Sequence, residues 1–118
     1  MDKTINIDGR EVKFRATART PRLYRAIIGR DMIIDMNKLQ QKFKKVETGE
    51  EKSLDVADLQ IFEDTAYIMA RHADPDMKEL TADEWLDTFG MFSIYEILPQ
   101  IFELWALNTV QTSTPKKK

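Results

Sequence analysis

Apolar and polar residues alternate over the first sixteen positions, and a helical spacing then takes over. Residues 3–7 and 10–16 alternate, and Asp8 and Gly9 between them give a strong two-residue turn signal. Two strands alone are marginally stable, so such a hairpin must pack on helices or pair with another chain. We therefore predict an N-terminal β-hairpin whose strand edges are candidate assembly surfaces.

Helical spacing of apolar residues begins directly after the hairpin. Thr20 is the predicted N-cap of a first helix, Pro21 suits its first turn, and Gly29 is expected to weaken or bend it. A second repeat, with intervals of four, three and four residues, comprises Met32, Met36, Leu39 and Phe43. The positions expected to face solvent beside this repeat are Lys38, Lys42, Lys44 and Lys45.

A loop and a second long helix are predicted next. Residues 46–53 show no periodicity and predict an acidic loop, and Ser53 is the predicted N-cap of a helix that ends before Pro75. Its apolar stripe comprises Leu54, Ala57, Ile61, Thr65, Ile68 and Met69. The acidic residues expected largely off this stripe are Asp55, Asp58, Glu63 and Asp64.

The spacing of Thr81 and Glu84 matches a capping box and predicts a short helix that closes at Gly90. Together these segments predict an α+β fold, mainly α, with the N-terminal β-hairpin packed on a bundle of about four to five helices. Residues 1–108 are expected to form a single domain, and residues 109–118 a flexible polar tail.

The last predicted helix, residues 94–107, differs from the others because it is apolar on more than one side. Its main stripe comprises Ile94, Ile97, Leu98, Ile101, Leu104 and Trp105. Tyr95, Phe102 and Ala106 form a neighbouring stripe, which must find either a deeper core position or another protein. Pro99 is expected to bend the segment. We hypothesise that Tyr95 and Phe102 form a self-association or partner surface.

Composition narrows the class of protein. A chain of 118 residues with 42% hydrophobic content fits one compact domain. The absence of cysteine removes disulfides, thiol nucleophiles and Cys-based metal sites, which agrees with a reducing cytoplasm. No apolar leader or membrane-spanning stretch occurs in the sequence, so export and membrane insertion are not expected.

Charge is unevenly distributed although the net charge is only -2. Residues 10–30 contain seven basic residues and one acid, whereas residues 47–103 contain fifteen acids and three basic residues. Such asymmetry supports association between copies or with a charged partner. Pairing of the opposite charges within one molecule is an equally strong interpretation.

The residues give little support to catalysis. His72 is the only histidine, and no nucleophile elbow, HExxH pair or glycine-rich phosphate loop occurs. The clustered carboxylates lack the spacing of a calcium loop and are better interpreted as a solvated acidic surface. We therefore predict no enzyme activity, no catalytic residues, no metal and no cofactor.

Nucleic-acid binding has more support in the sequence than catalysis has, but less than a role in protein assembly. Arg19, Arg22 and Arg25 lie with Tyr24 on one helical segment. The sequence pI near 5.4 argues against this function, because nucleic-acid-binding domains are typically basic overall. We interpret the three arginines as candidate protein-binding residues.

Residues 97–105 read Ile-Leu-Pro-Gln-Ile-Phe-Glu-Leu-Trp, and lysines occupy positions 116–118. With these as its most specific parts, the chain resembles over essentially its whole length the tail assembly chaperones of long-tailed phages and prophages of Gram-positive bacteria. The order of hairpin, amphipathic helices and capping-box turn also agrees with that family.

The resemblance implies a role in tail assembly. Such a chaperone self-associates, coats the tape measure protein, helps to recruit the major tail protein and leaves before the virion is complete, all in the host cytoplasm. The resemblance also implies a frameshift-extended form of the chain as a partner. A head-tail connector or minor tail structural protein, and a small nucleic-acid-binding regulator, are the alternatives.

Two interpretations of the three terminal lysines stay open. Lysine codons are rich in adenine, so Lys116, Lys117 and Lys118 require a message on which a ribosome can slip frame. A solvated basic tail is the simpler explanation from the protein sequence alone.

Overall fold

The structure is a computed structural model that describes residues 1–113, with side chains described for residues 1–106. Its strands are β1 (Asp2–Ile7) and β2 (Arg10–Arg15). The α-helices are α1 (Thr20–Ile28), α2 (Met32–Thr48), α3 (Val56–Ala73), α4 (Ala82–Leu86) and α5 (Leu98–Ser113), and two 3₁₀ helices span Pro75–Glu79 and Ser93–Ile97. The predicted α+β, mainly α fold with an N-terminal hairpin is confirmed.

The hairpin forms as the alternation predicts. β1 and β2 pair antiparallel with Ile5 opposite Val12, and Asp8 and Gly9 both adopt the positive φ angles that a tight two-residue turn requires. Alternation places one side of the ribbon in the core, and the buried side chains are Ile5, Ile7, Val12 and Phe14. The hairpin therefore gains its stability from packing on helices, chiefly on α3.

α3 is the central element of the fold. It packs against β2, α1 and α2, and an unbroken run of its residues from 65 to 70 is buried. The predicted cap at Ser53 is wrong, because Asp55 caps the helix and forms a reciprocal capping box with Asp58. Asp58 is also buried rather than solvated, and Lys42 pairs with it across the α2–α3 contact. Lys42 is consequently half-buried instead of facing solvent.

The first two helices differ from prediction at their ends. Arg19 occupies the N-cap position of α1, and Thr20 is the first helical residue, with its hydroxyl accepting a hydrogen bond from the Thr17 backbone N–H. Gly29 ends α1 in a left-handed conformation instead of bending it. α2 continues to Thr48, so the loop predicted at 46–53 begins three residues later, at Gly49.

The C-terminal apolar segment forms two elements rather than one helix. A 3₁₀ helix, Ser93–Ile97, precedes α5, and Pro99 lies in the first turn of α5, where its missing N–H leaves no helical hydrogen bond unmade. The capping box of Thr81 and Glu84 is present as predicted, but α4 ends at Leu86 rather than closing at Gly90. The backbone of α5 extends to Ser113. Residues 114–118 of the predicted polar tail, with all three terminal lysines, lie outside the described residues.

Candidate assembly surfaces

α1 presents a basic face to solvent. Arg19, Arg22 and Arg25 recur every three residues, and all three side chains are exposed. The ion pairs described for residues 1–106 do not involve them. Arg19 and Arg22 lie at the N-terminal end of α1, where the helix dipole disfavours a positive charge. Arg19 and Arg22 therefore do not stabilise their own helix, whereas Arg25 lies in its last turn, where a positive charge is favourable. All three are exposed and available to an acidic partner.

The remaining basic residues of segment 10–30 are partly used inside the molecule. Arg15 pairs with Asp2 across the hairpin at 2.9 Å. Arg30 pairs with Asp35 at 2.8 Å and with Asp64 at 2.7 Å. Arg15 and Arg30 thus form ion pairs within the molecule, whereas Arg19, Arg22 and Arg25 are exposed.

The structure places Phe102 and Tyr95 against the core of the chain. Phe102 is buried, and its ring centroid lies 4.9 Å from that of Phe43. Tyr95 is half-buried beside Phe62, and its hydroxyl donates a hydrogen bond to Glu63. That hydrogen bond, together with burial, raises the pKa of Tyr95 to about 12.

Tyr95 and Phe102 of the second stripe therefore pack against the core of the chain, which is one of the two outcomes expected from the sequence. In this structure Tyr95 and Phe102 do not present an open partner surface. Only the third member, Ala106, is exposed. The large apolar side chains that are exposed lie outside this stripe.

An apolar cleft opens where the end of β2, the start of α1, α2 and α5 meet. Its volume is about 350 Å³. The residues that line it are Ala16, Thr17, Ala18, Thr20, Pro21, Met32, Ile33, Asn37, Met69 and Trp105. We call this site the apolar cleft. Arg19 and Arg22 directly adjoin lining residues in the chain, so the cleft has a basic margin.

Hydrogen bonds hold the margin of the apolar cleft in place. Ala16 and Met1 exchange two hydrogen bonds, each 2.9 Å long, at the open end of the hairpin. Thr20 Oγ1 accepts from Thr17 N and lies 3.1 Å from His72 Nδ1 on α3. The pKa of His72 is lowered, mainly because burial disfavours the charged imidazole. The Thr20 hydroxyl and the His72 imidazole share this hydrogen bond, so His72 has a structural role here.

A pair of large apolar side chains projects from the turn between α4 and the second 3₁₀ helix. Met91 is 79% exposed and Phe92 is 71% exposed, and we call this pair the apolar knob. Their turn is fixed to the tip of the hairpin: Gly90 N donates to Asp8 Oδ2 at 2.8 Å, and the Ser93 hydroxyl donates to the same carboxylate. The two side chains are thus exposed on an anchored turn.

The contacts just before this turn anchor it further. Phe89 packs edge-on against Trp85, with ring centroids 5.0 Å apart. The Arg10 guanidinium lies 4.4 Å from the centre of the Phe89 ring and donates a hydrogen bond to Thr88. Trp85 is itself buried against Phe14 of the hairpin. The position of the apolar knob is therefore determined by the packing of α4 on the hairpin.

The outer edge of β2 borders a second cleft. Because Met1 and Ala16 form a hydrogen-bonded pair, alternation makes Thr4 opposite Lys13 and Asn6 opposite Glu11 non-hydrogen-bonded pairs. The backbone N–H and C=O groups of Glu11 and Lys13 thus point away from β1. They border a cleft of about 530 Å³ whose far wall includes Met77, Leu80 and Trp85. This edge agrees with the predicted assembly role of the hairpin, which stays a prediction.

Comparison with known proteins assigns no family. No protein-family model, curated protein or solved structure matches the chain.

The described residues contain neither a candidate metal cluster nor a candidate membrane-spanning helix. Among residues 1–106, no group of three or more His, Asp or Glu side chains is arranged to hold a metal ion. The described helices include none that is both long and apolar enough to span a bilayer. Tyr24, which the sequence placed with the arginines as a possible base-stacking residue, is fully buried and donates to Asp35.

Proposed function

We propose that this protein is a non-enzymatic tail assembly chaperone, which associates with copies of itself, coats the tape measure protein and helps to recruit the major tail protein. The observation that carries the proposal is the exposure of anchored apolar and basic surfaces on a small domain. A chain that covers a long partner needs one surface for that partner and others for neighbouring copies. The resemblance to tail assembly chaperones supplies the identity of the partner.

The physical task of such a chaperone is reversible shielding. A long helical partner exposes apolar surface before the tail tube surrounds it, and exposed apolar patches favour aggregation. Copies of the chaperone would cover that surface through non-covalent contacts, and polymerising tube subunits would displace them. The exposed arginines of α1 provide contacts to acidic side chains of a partner that are weakened by salt and are therefore easily reversed.

Binding of single-stranded nucleic acid loses support on physical grounds. Binding of single strands commonly combines basic groups with exposed aromatic rings on which bases stack. Tyr24, the aromatic residue among the α1 arginines, is buried in the core. Tyr24 therefore cannot stack on a base beside the three arginines. The exposed positive charges of the arginines favour an acidic protein surface as their target.

The proposal predicts where the protein is found during the phage cycle. Quantitative mass spectrometry of infected or induced cells should detect it in abundance together with unassembled tail proteins. In purified particles it should fall below one copy per particle, because the chaperone leaves before the tail is complete. The major tail protein serves as the internal standard in both samples. A fixed number of copies in every purified particle would instead identify a connector or minor tail protein.

A further inference from the structure

The apolar knob and the apolar cleft have complementary size and chemistry. A cavity of roughly 150 Å³ is enough to hold a benzene ring. The apolar cleft, at about 350 Å³, therefore has room for the Phe92 ring together with part of Met91. Its walls are mainly aliphatic and aromatic side chains, which suit these two residues. We propose that the apolar knob of one copy inserts into the apolar cleft of a second copy.

The positions of the two surfaces make the contact head to tail. The knob is hydrogen-bonded to Asp8 at the tip of the hairpin, whereas the cleft includes Ala16 at its open end. β2 separates these ends by six residue steps from Arg10 to Ala16, a distance of about 20 Å. A copy cannot place its own knob in its own cleft across that distance. The contact joins two different surfaces, so a pair of copies keeps one free knob and one free cleft for further growth.

Charge around the two surfaces is also complementary. Arg19 and Arg22 adjoin the cleft, and both are exposed. On the knob side, Asp8 is bound to the knob turn, and Asp87 and Glu96 lie within five residues of the knob in the chain, all with exposed side chains. The Arg10 guanidinium on Phe89 lies on the same side, so these three acids outnumber it. Opposite charges around an apolar contact favour the correct orientation and suppress contacts of knob with knob or cleft with cleft.

This inference deepens the proposed function, because it rests on the proposed self-association and names the surfaces through which copies associate. It makes no use of the tape measure protein. The self-contact can therefore be tested on the purified chain alone, and its failure can be distinguished from a failure to bind tape measure protein.

The test uses the full chain and two single variants, studied by sedimentation velocity over a range of concentrations. Phe92→Ser removes the main side chain of the knob, and Ala18→Trp fills the cleft from an exposed position. Each variant should weaken self-association by roughly tenfold or more, as expected for a buried aromatic anchor. The matched control is Val56→Ser, which removes an 81% exposed apolar side chain remote from both surfaces in the chain and should leave assembly unchanged. Thermal melts followed by circular dichroism verify that every variant folds.

Mixing the two variants tests the knob-and-cleft contact most directly. Phe92→Ser retains a cleft and Ala18→Trp retains a knob, so the mixture should form one-to-one dimers that cannot grow further. Folded Phe92→Ser protein that assembles as well as the unmodified chain would overturn the knob-and-cleft contact while leaving self-association intact. An unmodified chain that stays monomeric at every concentration would overturn both the contact and the proposed self-association. A mixture that forms no dimer would also contradict the contact.

Discussion

Replacing Phe102 with alanine is expected to lower the free energy of unfolding by about 3 kcal/mol, at the lower end of the usual range for a buried phenylalanine. The ring is 8% exposed and packs on Phe43, so its removal leaves a cavity between α5 and α2 that the backbone cannot fully close. Urea unfolding followed by circular dichroism measures the change. The melting temperature should fall by roughly 10 °C for a chain of this size.

The matched control for this prediction is Ala106→Ser on the same helix. Ala106 is exposed one turn further along α5, so this change should alter stability by less than about 0.5 kcal/mol. The comparison decides whether Phe102 of the second apolar stripe belongs to the core or to a surface that binds another protein. If Phe102→Ala kept full stability and instead lost self-association, Phe102 would belong to an interface between proteins and its packing on Phe43 would be wrong.

Replacing Arg30 with methionine should cost about 2 kcal/mol of stability. Arg30 lies between α1 and α2, and its guanidinium donates to Asp35, to Asp64 on α3 and to the Tyr24 hydroxyl. The two carboxylates are largely shielded, with side chains 13% and 15% exposed. Methionine retains the apolar stem but leaves both acids without their cation, and shielded charges are costly without a partner. The magnitude is below that of a fully buried pair because Arg30 is itself 38% exposed.

A double-mutant cycle tests whether this loss comes from the network. Asp64→Asn alone should destabilise the protein, and it should destabilise the Arg30→Met variant less, because the pair is already broken. Arg25→Met is the matched control, since Arg25 is exposed and has no ion pair among the described residues. Equal effects of Arg30→Met and Arg25→Met would show that the network contributes nothing to joining the three helices.

Periodicity predicted most of the fold because β1, β2, α1 and α2 each bury one face. The hairpin turn at Asp8 and Gly9 and the capping box at Thr81 follow from local geometry alone, and both are present. Helix starts were less predictable where several polar residues compete. Ser53 and Asp55 are both good caps, and Asp55 forms the cap because Asp58 lies three residues later to complete the reciprocal hydrogen bonds.

The candidate surfaces were only partly predictable, because exposure depends on tertiary packing. The spacing of Arg19, Arg22 and Arg25 follows from the sequence, and the structure exposes all three. Phe102 has the spacing of an interface stripe, yet the approach of α2 buries it. Met91 and Phe92 follow no periodic pattern, and their place after Gly90 was the only available signal. The apolar cleft was beyond prediction because its walls come from residues distant in the sequence.

Binding to the tape measure protein tests the central claim most directly. The tape measure protein of the same genome would be produced with and without this chain, using an unrelated small protein at matched expression as the control. The amount of tape measure protein in the soluble fraction and the number of copies of this chain that co-purify with it would be measured. The account predicts a mostly insoluble tape measure protein when alone and a soluble complex with many bound copies when this chain is present. Unchanged solubility with no co-purifying chain would contradict the proposed function.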